Sequence, residues 1–482
     1  VGLFQKGDAP ISLDPENWAE LRGLGHQMVD DMFDHLEQVR QRPVWTRMPD
    51  SKRERLRGRL PRRPARASDV YADFTELIRP YATGNTHPGF MGWVHGGGTA
   101  VGMLAELLAG GLNANLGGRD HAPIEVERQV IRWSAEILGL PEASSGLLVT
   151  GTSMANMIAV LVARQAALGP EVRQDGHGDA KLVAYASAAA HGCVARAMDF
   201  CGLGADALRP IACDADHRMS VAALRAAIDI DRAAGRQPFL VVGTAGTVDT
   251  GAIDDLQVVG DFARSEGLWF HVDGAFGAIG ALSATVRPML RGLSDADSVA
   301  FDFHKWLQVP YDAGCILVRD AACHRAAFSN QASYLGDEAR GLAAGRPWPC
   351  DFGPDLSRGF RALKIWMTLR VFGADRLGEM VDECCAVARA LAERIDREPR
   401  LELLAPVALN IVCFRVRGPR ETVDRINRDL VADLQESGIA APSTTLIAGR
   451  LAIRAAVVNH RTTIADAMAF VDAVLAGASR VQ

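Results

Sequence analysis

Positive charge is not in excess in this chain: 52 Lys and Arg face 58 Asp and Glu over 482 residues, a formal charge of −6. Nucleic-acid binding needs a dominant cationic surface, so that class of partner is set aside. No apolar run reaches the length of a membrane span, and the first residues lack the charged-then-apolar pattern of a secretory leader. The nine cysteines are odd in number, have no C-x-x-C spacing, and include an adjacent pair at Cys384 and Cys385. Reduced thiols and a cytoplasmic location are the expectation. There is no P-loop and no metal-ligand cluster; Cys323-His324 is an isolated pair. What is present is an ordinary globular balance, 48% hydrophobic and 23% charged, long enough for two or three packed units around a large core.

The chain begins with a helix signal at Asp14-Pro15-Glu16, an N-cap followed by proline. Trp18, Leu21, Gly25, Met28, Met32, Leu36 and Val39 follow at spacings of three and four, one apolar stripe that needs a partner face. The arginine-dense run from Lys52 to Arg66 reads as a solvated linker rather than an anion patch, because the rest of the chain is acidic. From about residue 146, short β-rich runs alternate with Ala-rich helical ones. Gly146–Thr150, Lys181–Ser187, Phe239–Gly246, Leu268–Asp273 and Ser298–His304 are the predicted strands, and Met154–Ala167 a predicted helix. This alternation predicts an α/β fold with a mostly parallel sheet covered on both faces. Residues 330–359 have no clean period, and so long a loop is expected to be functional or mobile. Phe360–Val371 reads as a helix; strand-like Leu409–Val416 and Leu451–Val458 suggest a smaller α+β domain.

Ligands of such sheets bind outside the carboxyl ends of the strands, so the polar residues there are the candidates. Gly151-Thr152-Ser153 lies between a strand and a helix start, where N–H groups and hydroxyls can hold a phosphate. His191 follows the next strand. Asp273 ends LWFHVD, with small residues after it that leave room for a flat ligand, and His304-Lys305-Trp306 ends the last strand. Each element alone has an ordinary structural explanation: helix capping, a core histidine, a surface lysine. Their joint order suits pyridoxal 5'-phosphate (PLP): phosphate cradle, stacking imidazole, carboxylate for the ring nitrogen, and a lysine for the covalent link.

The chain resembles the group II PLP-dependent amino acid decarboxylases, the family of the aromatic amino acid and glutamate decarboxylases. The resemblance runs nearly end to end: HPGFMGW at 87–93, TGTSMAN at 150–156, AAAHGCVARA at 188–197, GTVDTGAIDDL at 246–256, LWFHVDGAFG at 268–277, ADSVAFDFHKWLQVPYD at 296–312 and FRALKIWMTLRVFG at 360–373. It implies a PLP-transferase fold of type I with a seven-stranded-type sheet. A helical arm at 1–86, a large PLP domain at 87–370 with its active-site loop at about 330–359, and a small domain at 371–482 are expected. Lys305 would be the Schiff-base lysine, Asp273 the partner of the pyridine nitrogen, Ala275 the packing beneath the ring, and His191 the stacking group. Thr152, Ser153 and His304 would hold the phosphate, with Thr247 a further cofactor contact. Phe90 and Trp93 would line the substrate pocket of a homodimer whose site lies near the interface. The implied reaction is decarboxylation of an L-amino acid, aromatic or bulky, to the amine and carbon dioxide.

One departure bears on the product. In the aromatic decarboxylases a loop tyrosine is the usual proton donor at Cα, and its position falls near Trp348-Pro349-Cys350, where there is none. The five tyrosines are Tyr71, Tyr81, Tyr185, Tyr311 and Tyr334, and Tyr334, earlier in the same loop, is the candidate substitute. Relatives without this tyrosine can form aldehyde, ammonia and hydrogen peroxide, which is the alternative outcome here. Two other classes fit less well. A serine hydrolase would use Ser153 in Gly151-x-Ser153-x-Ala155, but the last glycine of a nucleophile elbow is absent. Gly202-x-Gly204-x-x-Ala207 follows a helical stretch rather than a strand, against a dinucleotide site.

Overall fold

The computed structural model describes residues 12–329, 338–419 and 421–481. It divides into two compact units, Val1–Gly84 and Asn85–Gln482.

In the first unit the helix runs Trp18–Glu37 and begins later than Asp14-Pro15 suggests. Asn17 is the cap: its backbone is extended, and its side-chain oxygen accepts the Ala19 and Glu20 N–H groups at 3.1 and 3.2 Å. No residue of this helix is buried; Trp18 and Leu21 of the apolar stripe are exposed, as is Phe33 outside it. Part of the expected linker is a helix, Asp50–Leu56, in which Arg55 pairs with Asp73 and Glu76.

The second unit is built on a seven-stranded sheet. Its strands are β1 (Ser145–Val149), β2 (Leu182–Ser187), β3 (Leu208–Ile211), β4 (Gln237–Thr244), β5 (Trp269–Asp273), β6 (Ser298–Asp302) and β7 (Gly314–Val318). The order is β1-β7-β6-β5-β4-β2-β3, with β6, β5, β4, β2 and β3 parallel and β7 antiparallel to both its neighbours. This is the α/β, mostly parallel architecture expected. Strand periodicity divides the core: Val183 and Tyr185 join one apolar cluster, while Leu182, Ala184 and Ala186 of the same strand join another on the opposite face. Two strands had not been anticipated. β3 is a four-residue edge strand containing Pro210, tolerated where one side of the ladder is unpaired, and β7 follows β6 too closely to stand out as a separate run.

A second sheet, entirely antiparallel, has the order β10-β11-β9-β8. Its strands are β8 (Leu401–Leu403), β9 (Ile411–Val416), β10 (Ser443–Ile447) and β11 (Arg450–Ala456). Residues 338–359 are irregular apart from a turn at Pro349–Asp351, yet they are anchored by the buried side chains of Trp348 and Arg358. Arg358 pairs with Glu127 at 2.5 Å and donates to the carbonyls of Leu116 and Leu148 at 2.8 and 2.6 Å. Segment 85–99 crosses directly over the turn after β6. A Cβ on Gly96 would stand 2.3 Å from the His304 carbonyl oxygen and 2.4 Å from that of Lys305, so glycine is what permits the approach.

Candidate active site

Because β4, β5 and β6 are parallel and in register, their carboxyl ends deliver Thr244, Asp273 and the turn beginning at Asp302 to one edge of the sheet. A cavity of about 320 Å³ opens there, lined by residues that include Trp93, His95, Thr152, His191, Asp273 and Lys305. That volume is at the lower end of the range for small-molecule sites.

Asp273 lies at the bottom, 3% exposed. One oxygen accepts the Ala275 N–H and the other the Asn156 amide, each at 3.1 Å. Burial pushes its pKa up, opposed by the charge of Lys305 and the Asn156 hydrogen bond. A hydrogen-bond chain runs behind it. Ser298 Oγ takes the Trp269 indole N–H at 2.9 Å and donates to His271 Nδ1 at 2.8 Å. His271 Nε2 then donates to the Asn156 carbonyl oxygen at 2.8 Å, which turns the Asn156 NH₂ toward Asp273. Burial lowers the pKa of His271 to about 3, so the ring is neutral and the chain has one consistent direction.

The turn after β6 supplies Lys305 and His304. Lys305 Nζ lies 3.0 Å from Asp302 Oδ2. His304 accepts the Ala313 N–H on Nδ1 at 3.0 Å, its ring centroid is 4.3 Å from that of Tyr311, and burial lowers its pKa. Asp302 also accepts both the backbone N–H and the hydroxyl of Thr152 at 2.8 Å. Thr152 and Ser153 open the helix Thr152–Leu168, whose N-terminal dipole favours an anion.

The expected residues are not all brought together. Lys305, Asp273, His191, Ala275, His304, Thr152 and Trp93 line the cavity. Ser153 is exposed in the first helical turn, with no hydrogen bond to a histidine among the described residues, so the elements of a hydrolase triad are not assembled. Thr247 is buried beside the cavity rather than in its wall, its hydroxyl bonded to Thr250 and to the Ala252 N–H within the 247–252 turn. Phe90 is buried behind Trp93 and stacks on His95, centroids 5.6 Å apart. Tyr334 lies outside the described residues.

Other residues of the site escaped the sequence reading. Asn156 was noted only inside a motif. His271 carries a usable signal, since two positions before Asp273 on a strand is the same face. Asp302 precedes Lys305 by one helical spacing. His95 and Tyr311 line the cavity with centroids 5.9 Å apart, and His95 makes no hydrogen bond among the described residues. Arg454 of β11 donates to the carbonyls of Val248 and Trp93 at 2.7 and 3.0 Å, tying two walls together across hundreds of residues. Nothing local in the sequence marks it.

These residues fit one kind of cofactor. A buried carboxylate raised by desolvation is satisfied by a cationic ring nitrogen, the small Ala275 leaves space for a ring, and a lysine and a helix N-terminus lie in reach of the same cavity. The site is that of a PLP enzyme on a mostly parallel α/β sheet. Residues 49–417 match the model of the pyridoxal-dependent decarboxylase conserved domain, and the chain belongs to that family. An aromatic-L-amino-acid decarboxylase of Bacillus atrophaeus is 33% identical over 453 residues, 92% of each chain. An L-2,4-diaminobutyrate decarboxylase of Rhizobium meliloti (strain 1021) is 35% identical over 408 residues, 83% of this chain and 80% of the relative. The crystal structure of Oryza sativa TDC with PLP and tryptamine superposes with a TM-score of 0.89 at 25% identity, covering 98% of this chain and 100% of that one. The activity is PLP-dependent decarboxylation of an amino acid, and the protein is a carboxy-lyase.

Proposed function

We propose that the substrate is an aromatic L-amino acid and that the product is the corresponding amine. The observation that carries this reading is a cavity holding Lys305 and Asp273 together beneath a wall of Trp93, His95 and Tyr311. Asp273 is the only acidic residue among the described lining, so a second ammonium on a diaminobutyrate-like side chain would find no counter-charge there, whereas a flat ring finds stacking partners. The aromatic-L-amino-acid decarboxylase from Bacillus atrophaeus supports the same choice.

PLP, when bound, supplies a conjugated ring that takes up the electron pair left when the carboxylate departs. In this reading Lys305 Nζ would hold the cofactor covalently, and it lies in the same cavity that would receive the substrate amine. Asp273, oriented by Asn156 and His271, would keep a proton on the ring nitrogen, an electrostatic effect worth most in a dry site. His191 and Ala275 would cover the two faces of the ring, while Ser153 and His304, with Thr152 closing the turn, would receive the phosphate. A proton must then reach Cα. Trp348, at the expected position of the loop tyrosine, is buried with its indole N–H donated to the Ala344 carbonyl at 3.0 Å. Tyr311, its phenol pushed up to about 12 by burial and therefore protonated, is the described tyrosine that lines the cavity, and it favours the amine outcome.

The second product outcome rests on the same missing loop tyrosine. If protonation at Cα is slow, dioxygen accepts two electrons, and amino acid, dioxygen and water yield aldehyde, carbon dioxide, ammonia and hydrogen peroxide. A homodimer is part of the proposal. The helix Trp18–Glu37 has no buried residue, and the helix Ala100–Leu112 exposes Leu107, Leu108 and Leu112. The test is to incubate PLP-loaded protein in air with a panel of L-amino acids, assaying carbon dioxide, amine, aldehyde and peroxide together. Amine equal to carbon dioxide from aromatic substrates is expected. Stoichiometric peroxide would establish the aldehyde route, and preference for diaminobutyrate would overturn the substrate assignment.

A further inference from the structure

We infer that Asp302 is a positioning residue that ties Lys305 to the Thr152 turn, and that its negative charge opposes the loading of PLP. The inference rests on the proposed roles of Lys305 as the cofactor-linking residue and of the Thr152–Ser153 helix start as the phosphate site.

Asp302 ends β6 and is 1% exposed. Its Oδ1 accepts the Thr152 N–H at 2.8 Å, and its Oδ2 accepts the Thr152 hydroxyl at 2.8 Å while lying 3.0 Å from Lys305 Nζ. One carboxylate therefore takes both donors of Thr152 and also neutralises the lysine. The surrounding backbone is shaped for it: a Cβ on Gly314 would stand 2.8 Å from Asp302 Oδ1 and 2.4 Å from the Gly151 Cα. The contact joins two elements that are 150 positions apart in the chain, which fixes the lysine relative to the helix start.

The same arrangement has an electrostatic cost. A carboxylate can accept but not donate, so it offers a phosphate nothing, and two anions in a low-dielectric pocket repel. Without that charge, PLP would load more tightly. The titratable groups around this pair include His304 in the same turn, Asp312 near it, Asp273 on β5, His191, His95 and Tyr311 around the cavity, and Cys193 at the start of the helix Cys193–Phe200. Glu127 lies against β1, where its carboxylate accepts the Leu148 N–H at 3.3 Å. None of them contacts both Thr152 and Lys305 in the described structure.

The test compares full-length wild type with Asp302→Asn, which keeps the shape and removes the charge, and with Asp302→Ser, which shortens the side chain as well. PLP affinity is measured by fluorescence titration, and borohydride reduction followed by peptide mapping locates the linked lysine. Asp302→Asn is expected to tighten PLP about tenfold, the effect of removing one close charge. Turnover is expected to fall as the lysine loses its anchor. Asp302→Ser should also bind PLP more tightly than wild type, by a smaller factor. Affinity that is unchanged or weaker in both variants, with wild-type melting curves, would overturn the inference. If wild type itself carried no label at Lys305, the site reading would fail instead.

Discussion

At the scale of single residues, burial decides which groups are charged. Asp273 sits under opposing influences: desolvation raises its pKa, while Lys305 and Asn156 lower it. Its value to the reaction lies in a charge held away from water, so Asp273→Ala should retain PLP in part while turnover falls about 10²- to 10³-fold, the size of effect seen when one preorganised electrostatic partner is removed. Steady-state rates alongside cofactor absorbance would check this, and near-normal turnover would contradict it. His271 gives a stability prediction. Its pKa is about 3 in the folded protein against the ordinary 6.5 of a histidine, so its contribution is fully present above pH 6.5 and is lost as pH falls toward 3. Between pH 7.5 and 5 the wild type should lose ~2 kcal/mol of stability relative to His271→Gln. Urea midpoints at the two pH values would measure it, and a constant difference between the proteins would refute it.

At the scale of elements, the site depends on how closely the turn after β6 is overlaid. Gly96 allows segment 85–99 to lie on the carbonyls of His304 and Lys305, where any Cβ would overlap backbone atoms. Gly96→Ala must therefore displace either the Trp93–His95 wall or the lysine turn. Overpacking of this kind costs about 1–3 kcal/mol, and both thermal stability and PLP retention should drop together. A variant with wild-type melting temperature and cofactor content would show that the overlay is not needed.

Within the Asn85–Gln482 unit as a whole, long-range buried polar contacts hold the scaffold. Arg358 and Glu127 are 1% and 4% exposed, and their pair fixes the irregular 338–359 segment against the helix Ala122–Leu138 and β1. Removing one partner leaves an uncompensated buried charge, so Arg358→Ala should destabilise by about 3–5 kcal/mol. Glu127→Gln in the Arg358→Ala background should recover part of that loss, which chemical denaturation can measure. Failure of the second substitution to recover any stability would show that the ion pair is not what anchors the segment.

Local order is what the sequence determined by itself. Alternating short apolar runs and helical stretches established the α/β class, because side-chain periodicity reports which faces are buried. Five of the seven strands of the large sheet were recognisable from it. Residues at strand ends, Asp273, His191 and Lys305 among them, were recognisable because a parallel sheet presents ligands at its carboxyl edge. Tertiary structure alone decided which of those side chains are aimed into the cavity and what holds them. Thr247 is turned into its own turn, and Phe90 is set behind Trp93. Asp302, Asn156 and Arg454 act through partners between about a hundred and several hundred positions away. Such contacts arise when the chain closes on itself, and a hydrogen bond across that distance leaves no periodic trace in the residues on either side.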